Sequence, residues 1–227
     1  MTQTQDPSVE PERRREPISR DRVIEAALRI MDTEGLEAVT MRRVGRELGV
    51  EAMSLYHHVK DKEDILDGIV EQVMSEFDPP APGGDWREDA RIAAGGWREM
   101  LTRHPNVMTL MADRHKPLAN PTSVRPMDTA LGILRRAGLS PRDTAQAFQA
   151  FGGFIMGFVM MEQGMMFGHD DGDADHQQEM EAFSRMLAGG DLPYLQEALP
   201  ILHECATDDL FEFGLDLLIR GVESRAS

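Results

Sequence analysis

Residues 40–62 read TMRRVGRELGVEAMSLYHHVKDK, and the spacing of their apolar side chains decides the fold. Val44 and Leu48 stand four apart, on one face of a helix that starts at Met41. Thr40 precedes that helix, where a hydroxyl caps free backbone N–H groups. Gly49 follows it, where the helix must stop and the chain reverse; glycine takes the left-handed conformation needed there without a Cβ clash. Val50 packs back on the first helix, and a second helix starts near Glu51, whose carboxylate suits the positive end of a helix dipole. Leu55 and Val59 point inward from it. Two short helices joined by a tight turn make a helix-turn-helix, whose second helix enters the major groove of DNA.

The side chains left facing outward form the candidate DNA-reading set. Ala52, Met53, Ser54 and His57 occupy the outer face of the second helix. Small and hydroxyl residues let a helix approach base edges: serine bonds a base or a phosphate, and alanine or methionine touches a thymine methyl. Tyr56, His58, Lys60 and Lys62 supply donors for phosphates. A blander reading stands beside each: Tyr56 plugging the core, His57 and His58 as ordinary surface, and Arg42, Arg43 and Arg46 as a solvated helix face.

Outward from this segment, residues 1–18 are rich in Pro, Gln, Glu and Arg and read as a disordered arm. Arg13, Arg14 and Arg15 either follow the minor groove or form part of a solvated tail. Ser19 caps a helix that buries Val23, Ala26, Ala27, Ile30 and Met31 and ends at Gly35. Asp61 caps a longer helix through Phe77. The run DPPAPGGD at 78–85 is the clearest boundary, separating a DNA-binding domain at 19–78 from a body at 85–227.

In the body the expected helices cover 86–103, softened at Gly95-Gly96, then 105–113, a stretch ending near 136, 142–165, and 208–224, with shorter pieces at 177–187 and 192–203. Residues 116–121 form a proline-punctuated turn, Ser140-Pro141 a capped start, and 169–176 an acidic loop. With no convincing strand and no repeat, the fold class is all-α: a three-helix head with the helix-turn-helix, plus a helical body.

The helix after Ser140 is apolar on more than one face and needs cover on all of them. On one face Phe148, Gly152 and Val159 are expected to meet a second copy of the chain, against Leu210, Phe213 and Leu217 of the last helix, in a four-helix seam. Gly152, Gly153 and Gly157 permit close helix approach. The other faces enclose a cavity or simply pack as core; the candidate lining is Trp97, Met100, Leu101, His104, Met108, Met111, Leu131, Leu134, Phe151, Phe154, Ile155 and Phe158. Sixteen methionines suit an adaptable apolar pocket. Arg114, His104 and His115 are the polar groups placed to orient a ligand.

Composition narrows the function classes. Cys205 is the single cysteine, which excludes an internal disulfide framework. The N-terminus lacks the apolar stretch of a secretory signal, and the longest apolar run, 148–161, reads as too short for a bilayer, so a cytoplasmic protein is expected. The net charge of −16 lies mostly beyond Lys62; the head itself is near neutral, and its clustered arginines and helix ends can still present a positive face. Asp171, Asp173 and Asp175 alternate like a calcium loop, but the glycine and the final glutamate of such a loop are missing, so no metal is expected. No nucleophile–base set, phosphate-binding loop or dinucleotide fingerprint is present, so neither an enzyme nor a cofactor is expected.

The run from Val23 to Gly68 resembles the DNA-binding domain of the tetracycline-repressor-like (TetR) family. The likeness rests on IEAALRIMDTEGLEAVTMRRVGRELGV at 24–50 and on LYHHVKDKEDILD at 55–67, with the specific pattern Leu55-Tyr56-x-His58-Val59-x-x-Lys62. The resemblance implies an all-α homodimer with a DNA-reading head and a ligand-sensing body. It implies that Thr40 and Arg42 contact phosphate or base, that Ala52, Met53 and Ser54 begin the recognition helix, that Tyr56 and His58 bind backbone, and that Lys62 holds a phosphate. With apolar Ala52-Met53 at its start, base reading falls to Arg42, Ser54 and His57. Asp78 stands where the tetracycline-responsive branch places a drug-contacting histidine, so a metal-chelated tetracycline is not the expected ligand. The expected function is a transcriptional repressor released from its DNA operator by a small apolar or amphipathic effector; the alternative is a constitutive DNA-binding dimer without an effector.

Overall fold

The computed structural model describes residues 17–80, 83–113, 121–164, 190–202 and 208–226. Among these residues every regular element is a helix. The expectations for the arm at 1–16, the turn at 116–120, Arg114, His115, the acidic loop at 169–176, the piece at 177–187 and Cys205 lie outside the described residues.

In the head, Ser19 accepts the Arg22 N–H at 3.3 Å and opens α1 (Arg20–Glu34), which ends at Gly35 with φ 88°. A 3-10 turn (Leu36–Ala38) leads to Thr40, whose hydroxyl accepts the Arg43 N–H at 3.1 Å and caps α2 (Met41–Leu48). Gly49 closes α2 in the left-handed region, with φ 69° and ψ 35°. Next come α3 (Ala52–Leu55) and α4 (Lys62–Glu76). Val23, Ile30, Met31, Val44, Leu55, Ile65 and Ile69 are fully or almost fully buried and form the head's core. By packing, the chain divides into two units, Met1–Ile69 and Val70–Ser227, a line that falls inside α4 and ahead of the Pro/Gly run. The apolar stripe of α4 is buried along its length at Ile65, Ile69 and Val73, so its turns contribute core on both sides of that line.

The second unit contains α5 (Trp86–Arg103), α6 (Pro105–Asp113), α7 (Pro121–Arg135), α8 (Pro141–Glu162), α9 (Pro193–Leu202) and α10 (Asp208–Glu223). Helix α5 runs unbroken through Gly95-Gly96, because neighbouring Ala93 and Ala94 are buried on its inner face and hold it there. Helix α8 packs on α5, α7 and α10. By length and composition alone it could cross a bilayer, contrary to the shorter run read from sequence; three helices pack on it here and bury 28% of its apolar window.

Two close approaches fix α10 against α8. A Cβ on Gly214 would stand 2.3 Å from the Phe154 ring, so only glycine admits that ring, which stacks on Phe211 at 5.5 Å between centroids. The Arg98 guanidinium lies 4.6 Å from the Phe211 ring centre and 4.9 Å from that of Phe158. It is also paired with Glu162 and, at 2.8 Å, with Asp208. The Glu162 carboxylate at its side pushes the Arg98 pKa up, so this cation stays charged and ties α5 to α8 and α10.

Candidate DNA-reading surface and ligand cavity

The head's candidate surface rests on a close crossing of α2 and α3. A Cβ built on Gly45 would lie 3.0 Å from the Val50 carbonyl oxygen and 3.2 Å from the Ala52 nitrogen. The bare backbone at 45 lets the turn close, a requirement not read from the sequence, where Gly49 alone was singled out. Helix α3 has one regular turn and then tightens: His58 N–H donates to Leu55 O at 2.8 Å and Val59 N–H to the same oxygen at 3.0 Å. The expected helix to Val59 is therefore shorter, but Leu55 and Val59 still anchor it, being 0% and 3% exposed.

That anchoring turns the candidate readers outward. Met53 is 71% exposed and Tyr56 49% exposed, so Tyr56 does not plug the core. His57 is exposed, while Ala52, Ser54, His58 and Lys62 are half-buried. Thr40 is exposed although its hydroxyl caps α2. The three arginines of α2 differ in their roles. Arg43 is held by Glu34 at 3.1 Å and by Glu47 at 2.8 Å, which leaves it a structural cation with its pKa pushed up. Arg42 is exposed and has no ion pair among the described residues, so its fork of donors is available. At the start of α4 the Lys60 backbone N–H and then the Arg20 guanidinium, both at 2.9 Å, hold the Asp64 carboxyl below its usual range. That contribution to stability is complete above the ordinary carboxylate pKa and is lost as pH falls through the depressed one.

In the second unit a cavity of about 90 Å³ lies between three helix faces. Ala90, Ala93, Ala94 and Trp97 line it from α5; Pro126, Met127, Ala130, Ile133 and Leu134 from α7; Phe148, Phe151, Gly152 and Ile155 from α8. Phe77, just past the end of α4, also lines it and meets Trp97 edge to face, with 5.3 Å between ring centres. Of the expected lining residues the cavity brings together Trp97, Leu134, Phe151 and Ile155.

The others stand elsewhere. Phe154 and Phe158 turn toward Phe211, because the opposite stripe of α8 packs on α10. Met100, Leu101 and Met108 are buried outside the cavity, and Met111 and Leu131 are half-buried away from it. His104 is buried with its Nε2 3.1 Å from Glu76, so the head of that side chain is committed to the end of α4. Ala90, Ala93, Ala94, Ala130 and Phe77 were missed: alanines carry little hydrophobic weight in a pattern, and Phe77 sits at a helix end.

The expected dimer residues also separate. Phe148 and Gly152 line the cavity, and Val159 is 0% exposed inside its own chain, so these three do not form an open face. Gly152, Gly153 and Gly157 meet nothing within 4 Å of a built Cβ, so they mediate no close approach within the chain. On α10, Leu210, Phe213 and Leu217 are exposed, Phe213 to 61%, in a stripe opposite the buried Phe211, Leu215 and Ile219.

Comparison with known proteins agrees with this geometry. Residues 23–69 match the family of bacterial regulatory proteins of the tetR type, and residues 78–226 match the tetracyclin repressor-like C-terminal domain. The HTH-type transcriptional repressor DrrR1 of Streptomyces coeruleorubidus is 30% identical over 220 residues, covering 89% of this chain and 76% of the relative. The tetracycline repressor protein class D of Escherichia coli is 28% identical over 209 residues, covering 91% and 89%. The structure of the TetR family protein ActR of Streptomyces coelicolor in complex with actinorhodin superposes with a TM-score of 0.78 at 26% identity, over 93% of this chain and all of that one. An outward recognition turn on a tetR-type head, carried with a repressor-like helical body, leads to one conclusion: the chain belongs to the tetR family of bacterial regulatory proteins and is a DNA-binding repressor.

Proposed function

We propose that this repressor is released from its operator by a flat, mainly apolar molecule that enters the cavity between α5, α7 and α8. The observation that carries the reading is the cavity lining: aromatic rings and alanines on three helix faces, with Phe77 beside them just past the end of α4. Flat walls of alanine backed by edge-on rings favour a planar aromatic occupant. That the related ActR was solved with actinorhodin supports an effector class of this kind. A volume of about 90 Å³ is less than the ~150 Å³ that accommodates benzene. A fused-ring ligand therefore has to displace a wall, and Phe77 is the wall continuous with the helix that begins in the head. Apolar binding energy that is realised only with Phe77 displaced favours the released state, which is the condition for a switch.

In this reading the protein is a cytoplasmic DNA-binding regulator without catalytic chemistry. The exposed stripe of Leu210, Phe213 and Leu217, with Gly153 and Met160 exposed on α8, forms the seam with the second copy. Two heads then address successive major grooves of a near-palindromic site. Arg42, Ser54 and His57 read base edges, Thr40, Tyr56, His58 and Lys62 hold phosphates, and Ala52 and Met53 lie against thymine methyls.

Both halves are testable. Duplexes recovered by the full chain from a random-sequence pool supply the operator probe. Fluorescence anisotropy with a panel of fused two- to four-ring aromatics is expected to find one that weakens operator binding by about 100-fold at saturation. A panel member that binds the protein tightly yet leaves operator affinity unchanged would overturn the switch. Replacing thymines of that duplex one at a time by deoxyuridine is expected to cost ~0.8 kcal/mol, about fourfold, at the position facing Met53, since one buried methyl is lost. The sensitivity should vanish in Met53→Ala; a uniform response across all thymines would remove Met53 from base reading.

A further inference from the structure

Among the described residues that line the cavity, Trp97 carries the only side-chain nitrogen or oxygen. Its indole Nε1 is buried and has no hydrogen-bond partner among the described residues. The large majority of buried side-chain polar groups are hydrogen-bonded, so an unmet indole N–H beside a cavity calls for an acceptor. The indole ring packs edge-to-face with Phe77, at 83° between ring planes and 5.3 Å between ring centres. We propose that the effector carries a hydrogen-bond acceptor, a carbonyl or ether oxygen set on a flat ring system, that takes the Trp97 N–H.

This inference rests on the cavity being the effector site and adds the one polar group the effector must have. An orphaned donor in an apolar site discriminates in one direction. A pure hydrocarbon fills the space and leaves the donor unmet, whereas an acceptor of the same shape satisfies it. Because the donor is already desolvated, the acceptor brings a net gain rather than an exchange of water bonds. A group that can only donate, such as an ammonium, gains nothing from this N–H, since an indole nitrogen accepts no hydrogen bond.

The test uses a pair of ligands with one skeleton, 9-fluorenone and fluorene, and the full chain. Calorimetry is expected to give about tenfold tighter binding of fluorenone to the unaltered protein. The carbonyl stretch of bound fluorenone, read by infrared difference spectroscopy, is expected to shift to lower frequency. In Trp97→Phe, which keeps an aromatic wall and removes the donor, fluorenone should weaken to the level of fluorene, fluorene should stay within about twofold, and the carbonyl shift should be absent. Equal affinities in the unaltered protein, an unshifted carbonyl, or a fluorenone preference that survives in Trp97→Phe would overturn the proposal while leaving the cavity as effector site intact. Failure of both ligands to bind would overturn the cavity reading and this inference together. The unaltered-protein comparison stands even if Trp97→Phe folds poorly.

Discussion

Replacing Gly45 with valine is expected to weaken operator binding by more than about 100-fold, or roughly 2.7 kcal/mol, while the body keeps its fold. The new Cβ would press on backbone: the Val50 carbonyl oxygen at 3.0 Å, Ala52 N at 3.2 Å and Ala52 Cα at 3.3 Å. No rotamer change relieves a tight contact between a Cβ and a main chain, so the α2–α3 turn has to give by a few tenths of an ångström, and the two further methyls of valine add to that crowding. The turn between them carries Met53, Ser54 and Tyr56, whose common placement depends on Leu55 staying fully buried. Anisotropy against the selected duplex and a calorimetric melt of the same sample check this outcome. Undiminished operator affinity in Gly45→Val would mean that the α2–α3 crossing does not set the reading surface. Gly45→Ala should fall between the two, because alanine brings the same Cβ but also raises helix propensity by about 1 kcal/mol.

Gly152→Leu is expected to give the opposite phenotype: full operator binding and no release by effector. Gly152 lines the cavity, and a built Cβ there meets nothing within 4 Å. A four-carbon side chain occupies most of a space of about 90 Å³, so a ligand that already needs a wall to move has nowhere to enter. Effector affinity should fall by at least about 100-fold. Stability should not suffer: the position is open, and exchanging glycine for leucine inside a helix gains about 0.5–1 kcal/mol. Ligand titration and a thermal melt read the two effects separately. A Gly152→Leu protein that still leaves DNA on adding effector would place the effector elsewhere. Together, Gly45→Val and Gly152→Leu separate the two activities, one losing DNA and the other losing its signal.

The head was legible because its determinants are local. Caps at Ser19 and Thr40 depend on one hydroxyl and an N–H a few residues on, and each hydroxyl accepts the N–H it faces, as Ser140 does in the body. The reversal at Gly49 is a single-residue backbone preference, and the burial of Leu55 and Val59 follows from their spacing on one turn. Gly45 escaped notice because its role is a contact between two elements that no spacing rule encodes. In the body, the bounds of α6 and α10 agree with the sequence to within a residue, while the assignment of faces does not.

Helix α8 explains why. It bears one stripe of Phe148, Phe151, Gly152 and Ile155 and a second of Phe154 and Phe158, both apolar. Sequence placed members of both in the pocket and assigned Phe148 and Gly152 to the seam. The structure turns the first stripe to the cavity and the second to Phe211 and Arg98. A Cβ-free Gly214, sixty residues downstream, admits the Phe154 ring and settles that rotation.

From the sequence alone came an all-helical chain, the reading head with its outward Met53 and Ser54, the family and a repressor's role, since each rests on periodicity, capping and turn chemistry within a few residues. Tertiary structure decided where the cavity lies, that Phe77 and the alanines of α5 wall it, and that Trp97 lines it with a buried indole nitrogen that has no partner among the described residues. Those outcomes depend on which of several equally apolar faces meet, and that choice is made by shape and close packing between segments far apart in the chain.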